Sequence, residues 1–273
     1  MAYDKIITSD VVIQRCIESQ GIFQRGNRGY DSLITQGATS VRRPKLPTLV
    51  GKKNTGTSKT SADRKGTKAD TIMVETPLDI YAIPIKDEIA AQFESNKKLL
   101  NEFAVSASMT MTQMWDTDFI AAAKATANVI ETKSTGVVSW KDIISVRKKF
   151  RQNQVPVENG LLMVVSADVE DLVMDIDVVK QAAAYNTIQL STGKLIRAAG
   201  FDFYFSGLVG KSVGNQKDCI VGIHGPGLAS IISSEAVIKE AWDGETLADY
   251  IDFVAHAAFE LDDDKFAVVL EVK

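Results

Sequence analysis

The sequence predicts an α+β fold, and three observations carry it. A polar stretch at residues 51–68 is flanked by two strand-like segments. From Asp87 the apolar period switches from two to that of a helix. From Leu161 a continuous apolar run is followed by a helical pattern, as in an α/β unit. The chain has 273 residues, 45% apolar and 24% charged, enough for one large domain or two small ones with a buried core.

Residues 1–40 form a mixed opening. Asp10 to Glu18 predicts a short helix carrying Val11, Val12, Ile13 and Ile17, and Gly21, Gly26, Gly29 and Gly37 then interrupt any pattern. With so few apolar anchors this opening is expected to be an extended arm lying on another surface. Residues 51–68 read GKKNTGTSKTSADRKGTK, with Ala62 the only apolar residue, the composition of a loop or disordered tip. The flanks, Val41 to Val50 and Thr71 to Ile85, predict strands. In the second, Leu78, Ile80 and Ala82 alternate with Asp79, Tyr81 and Ile83, while Pro44, Pro47, Pro77 and Pro84 restrict both to edge or interrupted strands. The expectation is a long two-stranded ribbon. About 14 residues reach about 45 Å, and such a ribbon is marginal without a partner surface.

Helical spacing links Ile89, Phe93, Leu100, Phe103, Ala107, Met111 and Met114, with Asp87 as N-cap and a break expected near Ser95. A second helix is expected from Asp116 or Thr117 through Ala127. A third, Val138 to Phe150, opens at Ser139 and ends in Arg147, Lys148, Lys149 and Arg151. Residues 155–232 read as a separate α/β unit. Leu161 to Val165 is a buried strand, Asp168 to Tyr185 helical, Leu195 to Phe205 a strand or strand pair around Gly200, and Cys219 to Ile223 a short strand before the turn HGPG. The tail predicts a helix from Ser230 to Lys239, then a terminal hairpin of strands Tyr250 to Ala258 and Phe266 to Val272 joined by Asp262, Asp263 and Asp264.

Enzyme signatures are weak, and no catalytic, cofactor-binding or metal-ligating residue is assigned. The two histidines, His224 and His256, read as structural. GLVGKS at 207–212 lacks the first glycine of a phosphate loop, because Phe205 stands there. HGPG lacks the third glycine of a dinucleotide fingerprint. Asp262 to Asp264 lacks calcium-loop spacing and reads as a solvated turn. Asp116 and Asp118 read as a helix start, and Met109, Met111, Met114 and Trp115 as packing residues. Only Cys16 and Cys219 are present, so a reducing compartment is expected. The opening MAYDK has no signal character, and apolar runs such as Leu161 to Val165 fall far short of the roughly 20 residues of a membrane helix.

Several segments carry a resemblance. Val155-Pro156 closely precede the apolar run Leu161-Leu162-Met163-Val164-Val165 and a helix. Residues 193–206 read GKLIRAAGFDFYFS. The ending runs from Thr246-Leu247-Ala248-Asp249-Tyr250 to Val268-Val269-Leu270. In this order, after an arm, a ribbon and a long helix, the chain resembles the major capsid protein of tailed bacteriophages, the Hong-Kong-97-type fold also used by encapsulins. It departs at Gly160-Leu161, where an Arg is common, and at Gly207, where an Asn is common; these leave the subfamily open. The resemblance implies an N-terminal arm (1–36), an extended loop (37–85, tip 51–68), a peripheral domain (86–154 and 233–273) with a spine helix, and an axial domain (155–232). It implies a non-enzymatic homo-oligomer whose pentamers and hexamers enclose double-stranded DNA without sequence-specific contact. Portal, scaffolding or decoration proteins would be its partners, the virion capsid its place and the host bacterial cytoplasm its site of assembly, with no membrane. The alternatives are an encapsulin-like compartment and a soluble α/β enzyme or binding domain with an unusual insertion.

The net charge of -4 conceals segregation. Residues 41–70 hold nine Lys or Arg against two Asp, and residues 235–273 hold eleven Asp or Glu against three Lys. One reading is two solvated faces. The sharper one brings the basic loop of one subunit near the acidic region of a neighbour. The inter-subunit candidates are Arg42, Arg43, Lys52, Lys53, Lys59, Arg64, Lys65, Asp262, Asp263 and Asp264.

Overall fold

The computed structural model describes residues 21–34, 38–45, 73–86, 97–157, 160–185, 196–233, 237–243 and 248–273. The expected helix at Asp10 to Glu18, its neighbour break at Ser95 and the tip 51–68 lie outside them. The strands and helices are, in chain order, β1 (Ser40–Pro44), β2 (Met73–Pro77), β3 (Asp79–Lys86), α1 (Lys97–Lys124), β4 (Val129–Glu131), α2 (Trp140–Gln152), β5 (Leu161–Ser166), α3 (Glu170–Met174), α4 (Asp177–Tyr185), β6 (Ile196–Ala198), β7 (Phe201–Ser206), β8 (Cys219–His224), β9 (Leu228–Ile232), β10 (Val237–Asp243), β11 (Ala248–Leu261) and β12 (Ala267–Glu271).

A six-stranded mixed sheet in the order β4-β12-β8-β5-β7-β6 forms the centre. Its strand β5 is buried at every position because both faces are covered. Leu162 and Val164 point into a core with Trp115 and Phe119 of α1, while Leu161, Met163 and Val165 point into a second core with Ile143, Val146 and Phe150 of α2. That two-sided burial is why the sequence reads as an unbroken apolar run rather than an alternation. Ser139 caps α2, and Asp142 three residues on returns the bond to the Ser139 amide, so the expected start is the observed one. Between β6 and β7, Ala199 (φ 53°) and Gly200 (φ 81°) both take the left-handed conformation that a tight hairpin needs.

Four expectations are corrected. First, α1 does not stop at Trp115. It runs unbroken for 28 residues because Ala107, Met111, Trp115, Phe119 and Ala123 keep one buried face at steps of four. Second, the segment Thr71 to Ile85 is not one ribbon strand. It divides at Leu78: β2 pairs with β1, and β3 leaves to pair with β11 in another sheet. Within β3 the inward residue is Tyr81, while Ile80 is 61% exposed. Third, Ser230 to Lys239 is not helical. β9 and β10 follow one another along the edge of β11 opposite β3, with Ile232 facing Ala257 and Val237 facing Val254. Fourth, β11 and β12 do not form a hairpin. β12 is buried on both faces between β4 and β8, shielding that no two-stranded hairpin offers, so the acidic turn carries the chain from one sheet into the other.

Candidate assembly interface

Two extended segments are fastened to this frame. The first is the root of the ribbon. β1 alternates so that Val41 and Arg43 face inward and Arg42 outward, across from Glu75. Val41 enters a small apolar cluster with Leu78, Ala229, Ile231 and Ala258. Arg43 is fully buried, which requires paired charge. Its guanidinium donates to Asp262 and, at 2.8 Å, to Glu260; its Nε donates to the Thr76 hydroxyl at 3.0 Å. The Thr76 hydroxyl donates in turn to Glu260 at 2.7 Å, and the Tyr30 ring lies 5.6 Å from the guanidinium carbon. Burial works against the Arg43 charge, but the bonds and charges of Asp262 and Glu260 outweigh it and hold its pKa above the ordinary value. Burial likewise pushes Glu260 up, and the Thr76 bond with the Arg43 charge brings it below the usual carboxylate range.

The basic and acidic regions of the sequence thus meet at Arg43 and Asp262, within one chain. In the turn Asp262 to Asp264, Asp264 is exposed as its composition predicts, whereas Asp262 is not solvated, and the turn is tied down at each residue. Asp262 is buried under Arg43, the Asp263 carboxylate accepts from the Lys265 amide, and the Asp264 carbonyl accepts from Thr126 and Asn128. Arg42 is exposed; Lys52, Lys53, Lys59, Arg64 and Lys65 lie outside the described residues.

The second fastened segment is the arm. Phe23 packs edge-on against Trp115 at 5.2 Å, and its amide donates to the Asp116 carboxylate at 2.9 Å. Asp116 is therefore a mid-helix acceptor and not the helix start its sequence context predicts. Burial raises its pKa to about 6, against the lowering effect of the Phe23 and Ile22 amides. Farther along, Arg25 donates to the Tyr204 hydroxyl at 2.8 Å, Asn27 exchanges backbone bonds with Leu228 and Ser230, and the Ile232 amide donates to Asp31 at 3.0 Å. The fit is close enough to demand glycine. A Cβ on Gly26 would meet Phe119 and Ser230, and one on Gly225 would lie 2.2 Å from the Arg25 carbonyl oxygen. An acid on the buried stripe of α1, beside Trp115 and Ile120, is the signal that marks Asp116 in the sequence. Glu260, Thr76 and Tyr30 carry no such mark, because they meet Arg43 only through strand pairing.

The remaining chemical groups are packed away. His224 stacks on Phe266 at 5.4 Å and burial lowers its pKa; burial pushes the Cys219 thiol up to about 11. Among the described residues no group of three His, Cys, Asp or Glu is arranged to hold a metal, and no helix is long and apolar enough to cross a membrane.

No sequence-family profile matches the chain. No curated protein matches it in sequence. Solved structures do match. The capsid of Ralstonia phage GP4 aligns at a TM-score of 0.61 and 12% identity, over 94% of this chain and 92% of that one. A Mycobacterium phage Che8 chain aligns at 0.56 and 16% identity, over 92% and 91%. The virus-like particle from Pyrococcus furiosus aligns at 0.55 and 10% identity, over 96% of both. With its arm, ribbon root, long helix and central mixed sheet, the chain has the α+β Hong-Kong-97-type capsid fold.

Proposed function

We propose that this chain is a major capsid protein, whose copies form the pentamers and hexamers of an icosahedral tailed-phage shell around double-stranded DNA. The observation that carries the reading is the extent of the likeness: 94% of this chain aligns with 92% of the Ralstonia phage GP4 capsid chain. A buried ion pair at the ribbon root and a glycine-lined clamp on the arm support it, because both fix the direction in which an extended segment leaves the frame. Repeating one heterologous contact around an axis closes rings, which is how a single sequence builds a shell. Portal, scaffolding and decoration proteins, with assembly in the host bacterial cytoplasm, belong to the same proposal.

The test is to express the full chain and image it by negative stain. Uniform shells and multi-megadalton light scattering are expected; a stable monomer at high concentration, with and without the phage's own scaffolding protein, overturns the reading. Nucleic-acid content of particles from infected cells tests the DNA claim. Within that reading, Lys52, Lys53 and Lys59 of one subunit lie near the acidic 235–273 region of a neighbour. Reversing their charge then slows assembly and weakens its salt dependence. An unchanged rate and salt slope sinks the pairing.

A further inference from the structure

Helix α2 carries opposite chemistry at its two ends. At the first, Val137 and Trp140 form, with Leu172, Asp175, Asp177 and Val178, a cleft of about 500 Å³ against the junction of α3 and α4. Val137 is 51% exposed and Val178 40%, so its mouth is apolar and open to solvent. The wall on the α3–α4 side is acidic. Residues 168–177 hold five carboxylates and no Lys or Arg, and Asp171, Asp175 and Asp177 are exposed. Against them stand Lys141, exposed on α2, and Lys180, which bonds Asp175 at 2.7 Å. Lys180 and Asp175 are both exposed, and such a surface pair is worth little and exchanges easily. An indole ring beside carboxylates in an apolar cleft is the chemistry that takes a guanidinium or ammonium group.

The far end of α2 carries such groups. Residues 143–157 hold Arg147, Lys148, Lys149 and Arg151 and no acid. Lys148 and Arg151 are exposed, and none of the four pairs with a carboxylate among the described residues. The Arg147 Nε is buried without a hydrogen-bond partner among them. From Trp140 to Arg151 is about 17 Å along the helix axis, beyond the reach of an arginine side chain. The basic end therefore cannot enter the cleft of its own chain, but it can enter that of another copy.

We propose that Lys148 and Arg151 of one copy seat in the cleft of Trp140, Asp175 and Asp177 on the next. The contact joins two different patches, so it is heterologous, and repeated about an axis it closes a ring. It rests on the shell-forming reading for that closure, and it names a surface through which neighbours in one pentamer or hexamer touch.

The test uses the full chain and positions that are all exposed, so the fold is kept. Gln152→Cys, beside Arg151, and Val178→Cys, on the rim of the cleft, are combined in one chain and bridged with a short bis-maleimide. A ladder of covalent oligomers ending at pentamer and hexamer is expected, and neither single variant forms it. Charge reversal supplies the second measurement. Lys148→Glu with Arg151→Glu, and Asp175→Lys with Asp177→Lys, each slow assembly roughly tenfold at low salt, read by light scattering. All four changes in one chain restore the parent rate. A combined chain as slow as either pair overturns the proposal, because each patch then serves something other than a second copy. A ladder that stops at dimer also overturns it, as the mark of a self-complementary contact. Shells without the ladder overturn this contact and leave the shell-forming reading intact; the ladder without shells sinks that reading and leaves the contact.

Discussion

The ribbon root and the arm clamp both bury a charge, and they treat it in opposite ways. At the ribbon root the Arg43 cation lies among two carboxylates, a hydroxyl and an aromatic face. At the arm, the Asp116 carboxylate is held by neutral groups, the backbone amides of Ile22 and Phe23. Arg43 keeps its charge more firmly than in water, while Asp116 gives its charge up more easily. A paired buried charge resists pH and is costly to break. One held only by amides is a contact that pH can reset.

The largest expected effect follows from breaking the paired site. Arg43→Ala removes the cation bonded to buried Asp262, and truncating one member of a buried pair typically costs about 3–5 kcal/mol. Chemical denaturation of the unassembled chain should show a loss of that order. Arg43→Lys should recover only part of it, because an ammonium cannot reach Asp262, Glu260 and Thr76 from one planar fork. A loss below about 1 kcal/mol for Arg43→Ala would place the site with ordinary surface ion pairs.

At Asp116 the pH sign is the reverse of that at Glu260. Its folded pKa of about 6 lies above the usual 3.8, so the folded state binds the extra proton between those values. Stability from this group therefore rises as pH falls from above 6 towards 4, and is absent at pH 7 and higher. Glu260, whose folded pKa is lowered, contributes above its usual value of 4.5 and loses that contribution as pH falls through the lowered one. Asp116→Asn, which keeps an acceptor for the Phe23 amide, should flatten the slope between pH 6 and 4 by up to roughly 3 kcal/mol, two pKa units at 1.36 each. Parallel stability profiles for the variant and the parent across that window would show that the carboxylate is not buried as charge.

How far the sequence reveals these sites depends on how local their causes are. The apolar run Leu161 to Val165 and the capping pair Ser139 and Asp142 are readable because two-sided burial and a three-residue spacing leave their mark in adjacent positions. Ser230 to Lys239 misleads for the opposite reason. Its residues are strands only because β11, some twenty positions on, offers a long edge, and strand formation follows such tertiary context more than intrinsic preference. Arg43 shows both sides. The segregation of charge between residues 41–70 and 235–273 is visible in the sequence, yet the pairing of Arg43 with Asp262 arises from β1, β2 and β11 converging across more than 200 positions.

The smallest of the expected effects isolates the arm from charge altogether. Gly225→Ala adds a single methyl 2.2 Å from the Arg25 carbonyl, and the Gly225 amide is itself held by the Gly160 carbonyl at 2.9 Å, so the turn has little room to retreat. Overpacking of this kind costs about 1–3 kcal/mol, and the arm is the element free to yield. Limited trypsin digestion of the folded chain should therefore cut faster at Arg25 and Arg28 in Gly225→Ala than in the parent, with a modest fall in Tm. The same digestion of Arg43→Ala under folding conditions should leave the arm sites protected, since the ribbon root and the arm clamp share no charged partner. If Gly225→Ala lowers Tm without exposing Arg25, the turn before β9 has moved instead, and the clamp is looser than its glycines require.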